Sequence, residues 1–196
     1  MSKFIVFGLM ALILNLWGYA PYFRDIIANR VKPQRVTWTL WTILSLIAAI
    51  NQVRNGGGWA TTFAISTFVL VTGVLLLSIK KGVGGASRLD LFSLAIAAIL
   101  FVWWAFSRDS IYSTYLAIGI DSIGAALTTL KAFHQPETEA YFQWITSGVA
   151  AAVSLLALEK HSVVLFAYPA YIMFANAVIV SAKYFGHKVV PRKTVT

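Results

Sequence analysis

Cysteine is absent from this 196-residue chain. That excludes a disulfide framework, a thiolate metal site and a cysteine nucleophile, and it leaves the redox compartment unmarked. Charge is the next scarcity. Asp, Glu, Lys and Arg make up 12% of the residues, against roughly 25% in an average soluble protein. Apolar residues make up 59%. A soluble domain of this size has no means of covering its surface with so few charges; a bilayer-embedded one has no need to. Metal and hydrolase signatures are missing too. No HExxH, paired glutamates or Asp-rich motif occurs, His134, His161 and His187 lie far apart, and Glu137, Glu139 and Glu159 fall outside the apolar runs that would form the core. Catalysis needs polar groups converging at one place. Too few are on offer, so no enzyme, no metal and no cofactor is expected.

What is present is a succession of apolar runs with short polar breaks. A helix needs about 20 residues to cross a hydrocarbon core of roughly 30 Å. Runs of that order fall at residues 4–27, 36–53, 59–79, 89–106, 111–133, 140–158 and 163–184. Backbone groups in hydrocarbon must be paired within their own element, so each run is expected as a helix. The alternating segments of a barrel do not occur. Gly56, Gly57 and Gly58 punctuate one break, and Gly82, Gly84 and Gly85 another. The first run has a Lys ahead of it, as a signal peptide does, but no small-residue cleavage pattern precedes Tyr19, Ala20 and Pro21. It is expected to remain as a permanent helix. Residues 1–196 are thus expected to form one integral membrane domain.

The formal net charge of +9 invites a nucleic-acid reading, but the distribution opposes it. Nearly every basic residue sits in a polar break or in the tail, which is the footprint of membrane orientation and not of a basic groove. Arg24, Arg30, Lys32, Arg35, Lys80, Lys81, Arg88, Lys131, Lys183, Lys188, Arg192 and Lys193 would share one side of the bilayer, and Lys3, Arg54, Arg108 and Lys160 the other. The richer side is cytoplasmic by the positive-inside rule. Seven crossings then place the N-terminus outside and the C-terminus in the cytoplasm, with the plasma (inner) membrane as the expected location.

An internal repeat adds organisation. Shifted by 103 positions, Pro33 meets Pro136, Trp38 meets Tyr141, Trp41 meets Trp144, Ala48 and Ala49 meet Ala151 and Ala152, and Ser78 and Lys80 meet Ser181 and Lys183. Any two stretches of apolar helix align at some offset. Here, however, the runs themselves coincide: first with fifth, second with sixth, third with seventh. The fourth is left as a connector. One intervening crossing gives both three-helix units, residues 4–79 and 111–184, the same orientation, and residues 89–106 join them. Parallel repeats of this kind occur in transporters, with the substrate site between the halves near the midplane.

The three-plus-one-plus-three arrangement with an outside N-terminus resembles the SWEET and PQ-loop superfamily of seven-helix membrane proteins. Gly18-Tyr19-Ala20-Pro21-Tyr22-Phe23-Arg24-Asp25, followed by a basic loop and a Trp-rich second helix, looks like a divergent PQ-loop unit. The stretch from Lys32-Pro33-Gln34-Arg35 through Trp38 to Trp41 is similar to that of small bacterial seven-helix proteins of this group. The superfamily's Pro-Gln pair lies inside the first helix of each unit, where this chain has Pro21-Tyr22 and Gly124-Ala125; the literal Pro33-Gln34 pair falls in a break instead. The resemblance implies facilitated or proton-coupled movement of small polar solutes such as sugars or amino acids, although some relatives are cargo or sorting receptors. It also implies an Asn in the third helix and another in the seventh. Asn176 matches the second, while Gly73 stands at the equivalent place in the first unit.

Asp121 is the most informative residue, because it falls at the centre of the fifth run with no Lys or Arg at its depth. Ionisable groups there are costly and face a bundle interior or a wet cavity. Asp121 is read as a proton- or cation-binding group on a solute path, or else as a carboxyl that ties helices together. Asn15 and Asn176 lie at similar depth and either bind a polar solute or link helices. Trp38, Trp41 and Ser45 share one helical face, as do Tyr141, Trp144 and Gly148. Trp41 and Trp144 are candidates to face each other across the solute site; Trp38 and Tyr141, nearer the helix starts, read as interface anchors, as do Trp103 and Trp104. Pro33 and Pro136 suit the first position of a helix. Pro21 and Pro169 fall inside runs, where each permits a kink, and Pro21 is also a candidate gating hinge. Arg24 and Asp25 form a candidate gate with Arg35, or an interfacial pair beside lipid headgroups. The expected function is a transporter for a small polar solute, with protons as a coupling ion through Asp121. The alternative is a receptor or scaffold on the same fold, and a homo-oligomer is compatible with either.

Overall fold

Each long apolar run folds as a helix, since a helix pairs its own backbone where no water is present to do so. The computed structural model describes residues 2–85, 87–106 and 110–189; Arg108, Arg192 and Lys193 lie outside them. Seven α-helices occur among the described residues: α1 (Lys3–Ile27), α2 (Arg35–Arg54), α3 (Thr61–Lys81), α4 (Arg88–Phe106), α5 (Ser110–His134), α6 (Tyr141–Leu156) and α7 (Val163–Val189). Short 3₁₀ turns precede α3 at Gly58–Ala60 and α6 at Pro136–Thr138. Among the described residues there is no strand, and one isolated parallel bridge joins Gln34 to Val83. Helices α1, α2, α3, α5 and α7 are long and apolar enough to cross a membrane. The expected run 140–158 is trimmed to the 16 residues of α6, and α7 continues five residues past the expected end at 184.

Six helices close a ring. α1 packs on α3, α3 on α2, α2 on α5, α5 on α7, α7 on α6, and α6 returns to α1. α4 stands outside it, against α5 and one side of α2. The outer faces carry exposed apolar side chains such as Ile13, Ile65, Leu76, Phe92, Ile99 and Phe174. Such a surface is an aggregation hazard in water and at ease in hydrocarbon. Polarity runs the other way: Asn15, Asp121, Gln143 and Asn176 are buried inside.

Helices in lipid associate through close packing and not through exclusion of water. Gly18 accordingly lets α1 close on α6, where any Cβ would collide with the Thr146 side chain. Gly186 similarly admits the backbone at Phe133. Pro169 interrupts α7; lacking an N–H, it leaves the carbonyl four residues earlier without its helical donor. That carbonyl belongs to Leu165, and the Gln52 side-chain amide of α2 donates to it at 3.1 Å.

At the opposite end of the bundle the basic residues are structural ties. Lys81 Nζ donates to the Ile27 carbonyl at 2.7 Å, joining α3 to the end of α1. Arg35 donates to the carbonyls of Ser78 and Gly84, at 3.0 Å each. Gln34, the residue just before α2, accepts from the Thr37 N–H through its side chain, and its amide donates to Asp90 of α4 at 2.5 Å. Pro33 therefore precedes the cap, and α2 does not begin on it as expected; Pro136 does open its 3₁₀ turn. Lys183, read from sequence as an orienting surface charge, is buried, donates to the Pro136 carbonyl and lies 4.6 Å from the Tyr141 ring centroid.

Candidate functional site

The ring encloses a cavity bounded by the middles of α2, α3, α5 and α7, with the first turns of α6 below. Asp121, from the middle of α5, reaches it and is 3% exposed. Asn176 of α7 and Gln143 of α6 join it, at 6% and 1% exposure. Hydroxyls of Ser45, Thr67 and Ser147 line its sides, and the rings of Tyr19, Trp41, Trp144 and Tyr168 complete the wall. The cavity leaves about 40 Å³ in which the centre of a water molecule could sit, enough for about three waters on the usual minimum per molecule.

Its polar atoms are conspicuously underused. Asn176 donates to the carbonyl of Ile172 in its own helix at 2.8 Å, yet its Oδ1 has no partner. The Gln143 amide lies beside the Tyr19 hydroxyl without closing a bond of ordinary geometry, and the buried indole N–H of Trp41 has no partner. The Tyr171 hydroxyl lies beside the Asp121 carboxyl without closing a bond of ordinary geometry. Most buried polar groups in proteins are paired, and each exception calls for an explanation. The cavity wall thus has donors and acceptors to spare, as do Asn15, Thr37 and Gln52 elsewhere in the bundle.

Aromatic contacts set the floor. Trp41 and Trp144 meet edge to face at 5.5 Å between centroids, and Trp38 stacks on Trp144 at 6.4 Å. Tyr22 lies 5.6 Å from Trp38. The Trp144 N–H donates to Glu139 at 3.1 Å, and Glu139 also pairs with Lys131 at 2.8 Å. Gly124 makes room for the Trp41 indole, since a Cβ there would come within 2.8 Å of its nitrogen.

Comparison with known protein families, with curated proteins and with solved structures finds no match to this chain.

Geometry therefore carries the site alone. It brings Asp121, Asn176, Trp41 and Trp144 together around one cavity. Asn15 is placed elsewhere: its amide donates to Ser66 at 3.0 Å and to Thr67 at 2.9 Å, so it ties α1 to α3 behind the cavity wall. The proposed gate does not assemble. Asp25 pairs with Arg30 at 2.8 Å and more loosely with Arg24 at 3.9 Å, while Arg35 is committed to the carbonyls of Ser78 and Gly84. Pro21 and Arg24 line a shallow outer groove with Trp17, Ala20 and Phe142. Trp38, expected at the membrane interface, is 2% exposed in the aromatic floor. Glu139, expected outside the core, is buried at 7% because two donors hold its carboxylate there.

Sequence reasoning missed Gln143, Tyr168 and Glu139. The signal for Gln143 was available: it falls inside an apolar run beside Trp144 and one turn from Ser147, a polar face on an otherwise apolar helix. Tyr168 had none apart from its place before Pro169.

A second, smaller cavity of about 10 Å³ lies toward the other end of the bundle, lined by Asn51, Gln52, Thr114 and Val164. Tyr168 borders both cavities and is the partition between them.

Proposed function

We propose that this chain is a membrane transporter that moves a small polar solute through the cavity between its two three-helix units. The observation that carries this is the set of polar side chains, Asp121, Gln143 and Asn176 with the Trp41 indole, gathered around a void inside the bundle. Two cavities in line, with one tyrosine between them, add the outline of a route.

The arrangement behind this reading has seven crossings in a three-plus-one-plus-three order. The packing supports it: α1 to α3, α3 to α2 and α1 to α6 have the counterparts α5 to α7, α7 to α6 and α5 to α2 under the 103-position shift. The pattern is that of two like units related by a twofold axis along the ring. The N-terminus then lies outside and the C-terminus in the cytoplasm, in the plasma (inner) membrane, with Lys131, Glu139 and the aromatic floor at the cytoplasmic end. Because the chain has no cysteine, single cysteines report topology cleanly. Ser2→Cys should react with an impermeant maleimide in intact cells, and Lys188→Cys only after permeabilisation. Labelling of both termini in one compartment would remove the seven-crossing order.

Asp121 is the group suited to proton coupling, as the one acid lining the cavity among the described residues. Uptake into proteoliposomes with and without a pH gradient tests the whole proposal. Saturable flux that disappears in Asp121→Asn supports it. Specific binding without flux would make the protein a receptor or scaffold instead.

A further inference from the structure

The cavity lining narrows the chemistry of the solute, if the cavity is the solute site. Among the described residues Asp121 is the one carboxyl in the lining, and no Lys, Arg or His joins it there. No ion pair engages Asp121 among the described residues. An anionic solute would set two negative groups together in a dry site, which is costly. A zwitterion fares little better, since its carboxylate would have only the neutral donors of Trp41 and Gln143 to meet. An ammonium group fits. The Asp121 carboxyl, Gln143 Oε1 and Asn176 Oδ1 supply acceptors, the last two unpartnered as the cavity stands. The rings of Tyr19, Trp41, Trp144 and Tyr168 border the same void, and an aromatic face within reach attracts a cation. The free N–H groups of Trp41 and Gln143 then suit a neutral oxygen on the same molecule.

Size decides the rest. About 40 Å³ of water-accessible space takes a solute the size of about three or four waters, so a hexose is too large for this conformation. We propose that the cavity binds a small organic monocation, a primary ammonium joined by a short chain to a neutral hydroxyl or amide oxygen. The ammonium sits against Asp121, and the oxygen meets the Trp41 and Gln143 donors.

Ethanolamine, ethylene glycol, glycolate and glycine form a near-isosteric set that differs in charge. The test uses the purified full chain, reading ligand-induced thermal stabilisation in detergent and counterflow of radiolabelled probe in proteoliposomes. Ethanolamine should stabilise and exchange, while glycolate and ethylene glycol should do neither. Asp121→Asn should lower ethanolamine exchange about tenfold or more, the factor that about 1.4 kcal/mol of lost ion pairing gives. Gln143→Leu should lower it several-fold, and Asp121→Glu should retain part of it. Size-exclusion profiles matching the parent separate these effects from misfolding, and Gln143→Leu serves if Asp121→Asn does not fold. Equal exchange of ethylene glycol or glycine, or full ethanolamine exchange in Asp121→Asn, would overturn the cation assignment while leaving transport standing. Binding of ethanolamine without exchange would uphold the assignment and overturn transport. Binding by none of the four overturns the assignment.

Discussion

Glu139 offers the sharpest test of how its end of the bundle is held. Its side chain is 4% exposed and that of Lys131 14%, with 2.8 Å between them, and the Trp144 N–H completes its bonding at 3.1 Å. Truncation to Ala leaves a mostly buried ammonium without its counter-ion, a change that costs about 3–5 kcal/mol in buried pairs. Lys131 keeps its bond to the Lys32 carbonyl and a little solvent, so the lower end applies. Stranding the indole N–H adds about 1 kcal/mol. Glu139→Ala should therefore lose about 3–4 kcal/mol, or roughly 6–16 °C in melting temperature by the scale of soluble domains this size. Glu139→Gln keeps an acceptor oxygen for Trp144 and should lose about half as much. The assay is thermal unfolding in one detergent, followed by loss of the monodisperse chromatographic peak. Lys131→Met in the Glu139→Gln background should recover stability, with a coupling energy above about 1 kcal/mol. A melting temperature for Glu139→Ala within about 1 °C of the parent, or strictly additive effects in the double variant, would refute the reasoning.

Three further outcomes follow from local geometry. Gly18→Val pushes α1 off α6 at Thr146 and should cost about 3 kcal/mol or prevent assembly, whereas Ala at the same site should cost about 1–3 kcal/mol; expression with detergent melting reads both. Gln34→Ala removes the cap of α2 and a bond to Asp90, which should cost about 1–2 kcal/mol and speed hydrogen exchange at the start of α4 more than elsewhere. Gln52→Ala should destabilise the parent by about 1 kcal/mol but matter less beside Pro169→Ala, whose restored N–H supplies the Leu165 carbonyl; equal effects in both backgrounds would show that the two residues are uncoupled.

The helices were legible in the sequence because hydrocarbon imposes a length and an apolar composition that soluble folds do not. Their ends were legible to within a residue or two, except where polar residues turned inward. Lys183, inside the expected run, is buried and gives its ammonium to a carbonyl and a ring. Composition alone counts such a lysine as surface charge. Glu139 was hidden for a related reason: it lies only two residues before α6, and its burial depends on Lys131, eight positions away, and on Trp144. Trp38 shows the reverse case. A tryptophan near a helix start is an interface anchor by habit, and only closure of the ring, with α2 turned toward its interior, brings Tyr22 of α1 and Trp144 of α6 against it. Asp121 and Asn176 were legible because unpaired polar groups at mid-span have few reasons to exist. Asn15 satisfied the same criterion and proved to be a tie between helices, a distinction that only its two hydroxyl partners on α3 reveal.

The 103-position shift also explains why the site is one-sided. Asp121, Gln143, Asn176 and Tyr168, which carry most of its polar chemistry, correspond to Gly18, Leu40, Gly73 and Ile65 in the first unit. Two of those four are glycines, and both sit where α1 or α3 makes a close approach, to Thr146 and to Phe23 respectively. Gly18 and Leu40 are buried and Gly73 half-buried where helices pack, Ile65 lies on the outer face, and the four mates in the second unit border the void. Trp41 and Trp144 are the exception, identical under the shift and in contact with each other. On the proposed architecture, a solute thus meets a symmetric aromatic floor and an asymmetric polar wall. Recognition of charge then rests on the second unit, while the first supplies the rigid surface against which it works. Transplanting Asp121 to its mate position, as Gly18→Asp with Asp121→Gly, should accordingly fail to restore solute exchange. Gly18 lies in the tight seam against Thr146, and a carboxyl there has no void to enter. Exchange at parental rates in that double variant would mean that the two seams are interchangeable, contrary to the packing.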